Sequence, residues 1–165
     1  MKILILGGCA DMAVPLLPVL QADKEVKGVT LADINLEKAQ KTAAGLGAKF
    51  VPAPCDANDH DGVVSLMKGH DVVFCYVGPF YIFERKLASC AVEAGVDYVS
   101  ICDDYDAYLD VITLDDAARK KGVKILTGFG NSPGLTQVLA RQGYNALENV
   151  TRINIHWCAG SDEAA

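Results

Sequence analysis

Short apolar runs alternate with longer stretches in which apolar residues recur every three or four positions. Lys2–Leu6 opens the chain with a nearly continuous apolar run. A parallel strand buried on both faces reads this way. Val26–Ala32, Lys49–Pro52, Asp71–Val77, Val96–Cys102 and Val123–Gly128 predict five more strands. Between them lie helical signals. Asn35 is a good N-cap for a helix through Leu36, Ala39 and Ala43, stopped by Gly45 and Gly47. Asn58 with Asp61 predicts a capping-box-like start for a helix ending at Gly69. Leu87, Cys90, Ala91 and Ala94 form an i, i+3, i+4, i+7 stripe that ends at Gly95. A single helix is expected between the fifth strand and Gly122. Ser132-Pro133 predicts a last helix, with Ser as N-cap and Pro at its first position, and Leu135, Val138 and Leu139 as its apolar face.

Strands alternating with helices predict an α/β fold of Rossmann type: a doubly wound, mainly parallel sheet of about six or seven strands with helices on both faces. From Val150 to Trp157 the pattern changes to alternating apolar and polar residues. This predicts a strand with one differently covered face. Residues 1–148 are therefore expected to form one nucleotide-binding domain, and 149–165 the start of a truncated second one.

Composition changes this picture little. The 165 residues, 51% hydrophobic and 22% charged, suit one globular unit. A net charge of −6 without any basic run disfavours nucleic acid and anionic membrane as partners. The apolar stretch around Val14 to Leu20 is short and carries two prolines, so no membrane span is expected. The opening residues lead straight into a glycine turn without a cleavage pattern, so a cytoplasmic location is expected. The six cysteines match no zinc spacing, and reduced, mostly buried thiols are expected, with no metal.

The chemistry concentrates after the first strand. Gly7-Gly8-Cys9-Ala10-Asp11-Met12-Ala13 stands where a dinucleotide fold carries G-x-G-x-x-G. Read from Gly7, the later positions are Cys9 and Met12; read from Gly8, they are Ala10 and Ala13. The second register is preferred, because alanine is the smallest substitute. Pro15 and Pro18 predict a first helix that starts late or is kinked. Asp33 ends the second strand at the place where a carboxylate accepts the adenosine ribose hydroxyls. Ile34 and Asn35 follow it, with no arginine for a 2′-phosphate, so NAD is favoured over NADP.

Val72-Val73-Phe74-Cys75-Tyr76-Val77-Gly78-Pro79-Phe80 is similar to the strand and GPF turn of saccharopine dehydrogenase-like proteins. So are the segments from Cys90 to Val99, Cys102-Asp103-Asp104, and Gly128 to Ala140 with its P-G-L-T turn. The resemblance covers roughly Ile3 to Ala146. It implies a nicotinamide-dependent oxidoreductase acting on the C–N bond of amino-acid-derived substrates, with a substrate and dimerisation domain beginning near Asn149 and a homodimeric full-length protein. The fragment alone is expected to be inactive. Relatives often carry an acidic residue where Ser100 stands and a glutamate where Asp104 stands.

The cofactor-contacting candidates are Gly7, Gly8, Cys9, Ala10, Asp11, Met12, Asp33, Ile34, Asp56, Val77, Gly78, Pro79 and Phe80. Asp103, Asp104, Asn131 and Ser132 are the substrate candidates, the aspartates for an amino group and Ser132 at a helix N-terminus for a carboxylate. No general acid or base stands out. His60 and His70 read as structural or solvated, and Tyr98 as a packing residue. A Rossmann module that binds a nucleotide or a protein and catalyses nothing is the competing reading.

Overall fold

A computed structural model describes residues 1–156 of the chain. Six parallel strands form one sheet: β1 (Lys2–Leu6), β2 (Gly28–Asp33), β3 (Phe50–Pro54), β4 (Val72–Cys75), β5 (Asp97–Ser100) and β6 (Ile125–Leu126). Their spatial order is β3-β2-β1-β4-β5-β6. The chain winds outward from β1 in one direction, then restarts at β4 in the other. The switch point between β1 and β4 is where such sheets open a crevice for ligand.

Alternation along β1 builds two cores. Leu4 and Leu6 pack with Val73, Cys75 and Tyr98 against Val63, Val64 and Met67 of α3 (His60–Met67) and Leu87, Ala88 and Ala91 of α4 (Phe80–Ala94). Ile3 and Ile5 pack with Val29 and Leu31 against Leu17 and Leu20 of α1 (Leu17–Ala22) and Ala43 of α2 (Leu36–Leu46). The layered fold expected from periodicity is therefore the observed one.

Local signals fare unevenly. Asn35 caps α2 as expected, its side chain accepting from the Lys38 N–H at 2.9 Å. Gly95, at φ 74°, ends α4 in the left-handed conformation. The prolines delay the first helix: a 3₁₀ turn at Val14–Leu16 precedes a six-residue α1. The cap of α3 is Asp59 rather than Asn58, because Asn58 turns back onto the Asp56 carboxylate at 2.9 Å. The expected single helix before Gly122 is two, α5 (Tyr105–Ile112) and α6 (Asp115–Lys121). β6 is also shorter than expected. The Val123 N–H caps α6 through Ala118 O, and Lys124 donates to the Asp97 side chain, so ladder residues begin only at Ile125.

The last helix, α7 (Leu135–Asn145), starts two residues later than expected, with Gly134 at its cap. Gly130 donates to Pro133 O and Leu135 to Gly130 O, so 130–134 is a closed loop and Ser132-Pro133 lies inside it. No residue of α7 is buried, and the expected apolar face of Leu135, Val138 and Leu139 is exposed. The strand expected over Val150–Trp157 is not formed up to residue 156, where the chain has no regular structure; Trp157 and Cys158 lie outside the described residues. Among the described residues, no helix is long and apolar enough to cross a membrane.

Candidate active site

The glycine turn leaves β1 with Gly7 at φ 69°. A side chain at Gly7 would stand 3.1 Å from the Tyr76 backbone carbon, and one at Gly8 would stand 3.2 Å from the Cα of Leu31. Both glycines are thus required by the approach of β4 and β2. Ala13 is fully buried against the sheet, whereas Met12 is 66% exposed. The close-packing position is Ala13, which agrees with the register read from Gly8.

Hydrogen bonds fix the turn from within. Gly7 and Gly8 both donate to Ala32 O, and Ala10 donates to Gly7 O. The Cys9 N–H donates to Asp33 Oδ2 at 3.1 Å, and the Asn35 N–H to Asp33 Oδ1 at 3.0 Å. One carboxylate therefore ties the turn to the end of β2. Two amides of the segment, Asp11 and Met12, have no partner among the described residues. They are the unpaired donors of the turn, and α1, with six residues, is too short to add a helix terminus. The Asp11 side chain, exposed beside them, adds negative charge where a phosphate would sit.

A cleft of about 190 Å³ opens at the switch point. Gly7, Asp33, Ile34, Asp56, Val77 and Gly78, all candidates from the sequence, line it together with Ala32, Cys55, Ala57, Asn58 and Phe83, which were not among the candidates. Ile34 is 79% exposed at its rim, an apolar surface of the kind that covers an adenine ring. Gly8, Cys9, Ala10, Asp11, Met12, Pro79 and Phe80 do not line it. Gly8 and Cys9 are buried behind the turn, and Pro79-Phe80 begins α4, which places Phe83, one turn later, in the wall instead. A wider groove of about 640 Å³ follows the free side of β6, flanked by Tyr108 and Ile112 of α5. It lies along the edge of the sheet and away from the switch point.

Beyond β4 and β5 the second half of the carboxyl edge takes shape. Asp104 Oδ2 accepts the Tyr81 N–H at 3.0 Å, so this carboxylate is committed to the start of α4. Asp103 is exposed and free of such a bond. Asn131 and Ser132 sit in the closed loop, and Ser132 is not at a helix N-terminus because α7 begins at Leu135. Its expected place at a helix end is therefore corrected.

The five cysteines among the described residues are inert by environment. Cys9, Cys75, Cys90 and Cys102 are buried and Cys55 is half-buried. Burial pushes the Cys75 thiol up to about 12 and those of Cys55, Cys90 and Cys102 up to about 11. His60 is held between Glu93, at 2.9 Å, and the Cys90 thiol, at 3.4 Å. With its proton held that firmly, Cys90 is not an activated nucleophile. His70 bonds Thr30 at 2.8 Å, near the amino ends of the strands and away from the cleft. Tyr98 is fully buried, as expected of a packing residue.

Sequence reasoning missed Glu84. Its side chain is wholly buried and accepts from Tyr98 at 3.0 Å, from Thr127 at 2.8 Å and from Ser100. The signal was present: Glu84 is in register with Leu87, Ala88 and Ala91 on the apolar stripe of α4.

Known proteins place these features. Residues 3–126 match the family described as "Saccharopine dehydrogenase NADP binding domain". A curated relative, the saccharopine dehydrogenase [NADP(+), L-glutamate-forming] of Pyricularia oryzae, is 27% identical over 139 residues. That alignment covers 84% of this chain and 29% of the relative. Among solved structures, apo saccharopine dehydrogenase (L-Glu forming) from Saccharomyces cerevisiae superposes with a TM-score of 0.76 at 23% identity, over 88% of this chain and 31% of that one. An NAD binding oxidoreductase from Klebsiella pneumoniae gives 0.60 at 21% identity, over 88% and 39%. The chain thus spans less than a third of the length of its saccharopine dehydrogenase relatives. Its turn, its cleft at the switch point and its match over residues 3–126 have one conclusion: the chain belongs to the saccharopine dehydrogenase NADP binding domain family, whose ligand is a nicotinamide dinucleotide.

Proposed function

We propose that this chain is the cofactor half of an oxidoreductase that moves hydride to or from the carbon of a C–N bond in an amino-acid-derived substrate, and that it prefers NAD to NADP. The observation that carries the reading is Asp33 in the lining of the switch-point cleft, its two oxygens accepting the Cys9 and Asn35 N–H groups. A carboxylate there accepts ribose hydroxyls and repels a 2′-phosphate. The residues present fit the cofactor: Ile34 would cover the adenine, Asp33 would take the ribose, and the unpaired Asp11 and Met12 amides would be the donors for the pyrophosphate. At Gly78 an added side chain would meet nothing within 4 Å, which leaves the backbone open to the nicotinamide ribose. The bound cofactor supplies the hydride chemistry; the chain's own residues bind and orient it.

Asp103 is the acidic group left on the substrate side, suited to a protonated amine. The exposed apolar residues of α7, with Leu147 after it, support a second domain packing there, entered at residues 149–165, with dimerisation in the same region. A cytoplasmic enzyme agrees with the reduced thiols. Calorimetry of the chain with NADH and NADPH tests the proposal. Millimolar cofactor with no heat or protection, in a sample folded by circular dichroism, would overturn it. The acidic, glycine-poor turn favours a second reading, a nucleotide-binding module without chemistry; hydride transfer by the whole protein separates the two.

A further inference from the structure

Glu84 is a buried carboxylate with no basic partner. Among the described residues no lysine, arginine or histidine forms an ion pair with it, and three hydroxyls satisfy it instead: Tyr98 on Oε2, Ser100 and Thr127 on Oε1. Burying a carboxyl group is costly even when hydroxyls satisfy it, and an apolar residue of similar volume commonly serves stability as well or better. The neighbours on its face, Leu87, Ala88 and Ala91, show that a methionine or leucine would continue the stripe. Stability alone does not account for a glutamate here.

Its partners do. Ser100 is the last residue of β5, and its Oγ also accepts the Cys102 N–H at 3.4 Å. The Ser100 carbonyl accepts the Phe129 N–H at 2.8 Å. Thr127 is the first residue after β6. Asp104 closes the circuit by accepting the Tyr81 N–H at the start of α4. The loop after β5 is therefore held to α4 at both ends, and the loop after β6 is held to β5. The ties at Ser100 and Thr127 run through Glu84 or through a residue bonded to it, whereas the Asp104–Tyr81 tie is separate.

We propose that Glu84 is a positioning residue, which through Ser100 and Thr127 sets the backbone of 101–104 and 128–130 as the nicotinamide and substrate wall. This rests on the cofactor reading above for the identity of the wall, though not for its being held. The adenosine half, at Asp33 and Ile34, shares no bond with the circuit.

Glu84→Gln keeps the volume and removes the charge; Thr127→Val removes one donor and keeps the shape, should the first variant fold poorly. Hydrogen exchange is read in both. Losing one bond in a buried network raises local opening by about tenfold. Amides of 101–104 and 128–130 are expected to exchange that much faster, with those of Gly28–Asp33 unchanged. A uniform rise over the whole chain, or no rise, overturns the positioning role and leaves a structural polar cluster. In parallel, affinity for NADH is expected to fall by about tenfold while that for ADP, which probes only the adenosine and pyrophosphate part, holds. An unchanged NADH-to-ADP ratio beside a local exchange effect overturns the assignment of these loops to the nicotinamide wall. If the unsubstituted chain binds neither ligand, the cofactor reading fails, and the exchange result still decides the positioning role.

Discussion

Replacing Asp33 with alanine separates what the carboxylate does for the fold from what it does for the ligand. Two amides lose an acceptor, Cys9 N–H at 3.1 Å and Asn35 N–H at 3.0 Å. A bond to a charged acceptor contributes about 1.5–3 kcal/mol when buried. Asp33 is only half-buried, and water can replace part of the loss, so the pair is worth about 2–3 kcal/mol together. For a chain of this size that is a fall in Tm of about 5–10 °C.

On the proposed ribose role of Asp33, the ligand effect is expected to have opposite signs for the two cofactors. NADH loses a charge-assisted bond to its ribose, about 1.5–3 kcal/mol, or a tenfold to hundredfold loss of affinity. NADPH would place a doubly charged phosphate beside the same carboxylate. Unit charges 5 Å apart repel by about 3 kcal/mol at an effective dielectric of 20, and screening at a half-exposed site leaves about 1–2 kcal/mol. Asp33→Ala is therefore expected to relieve NADPH as it weakens NADH, moving the preference toward NADPH by at least about a hundredfold. Calorimetry with both cofactors, in the parent and variant chains at low and high salt, reads this directly. The reasoning fails if the parent chain binds NADPH more tightly and the ratio does not move with the substitution.

Further expectations concern the turn, the thiols and the last helix. Asp11→Asn removes a negative charge beside the two free amides and should raise NADH affinity by about threefold at low salt, less at high salt; a loss would mean that Asp11 binds something. Gly8→Ala forces a methyl to 3.2 Å from Leu31 Cα and should cost about 1–3 kcal/mol in urea unfolding; a neutral result would contradict the close approach of turn and β2. The four most raised thiols make stability fall with alkali. Folded, they keep their protons up to about 11–12, whereas unfolded they ionise from 9.0, so the stabilisation present below 9.0 is lost as the pH climbs through that window. Cys75→Val should flatten this slope; an unchanged slope would place the effect elsewhere. Leu139→Ser, on a helix with no buried residue, should change stability by less than about 0.5 kcal/mol; a large loss would show that α7 packs on the sheet after all.

Most of the sheet was legible because the strands of a doubly wound core are buried on both sides and therefore unbroken in hydrophobicity. Lys2–Leu6 is the clearest example. The same reasoning explains Asn35 and Gly95, where cap chemistry is local. It misplaced the starts of α3 and α7 because the competing hydrogen bonds, Asn58 to Asp56 and Leu135 to Gly130 O, are choices among several capable partners. β6 lost its first two residues for the same reason, Val123 to α6 and Lys124 to Asp97. The strand expected after Val150 has the right alternation but no sheet beside it among the described residues, and periodicity alone does not supply a partner.

The cleft at the switch point was legible for a further physical reason: it is lined by residues at the ends of strands. Gly7, Asp33, Asp56 and Gly78 converge because parallel strands in register end together. The second half of the carboxyl edge is built by side chains reaching across elements. Asp104 reads as a substrate group in isolation, but a helix start 23 residues earlier needs an acceptor, and the structure gives it that one. Glu84 is the converse, a charged residue that pattern assigns to the surface unless its register with Leu87 and Ala91 is taken as seriously as theirs. A polar residue in phase with an apolar stripe must be satisfied by something, and asking what satisfies Glu84 leads to Tyr98, Ser100 and Thr127, and through them to the loops that follow β5 and β6.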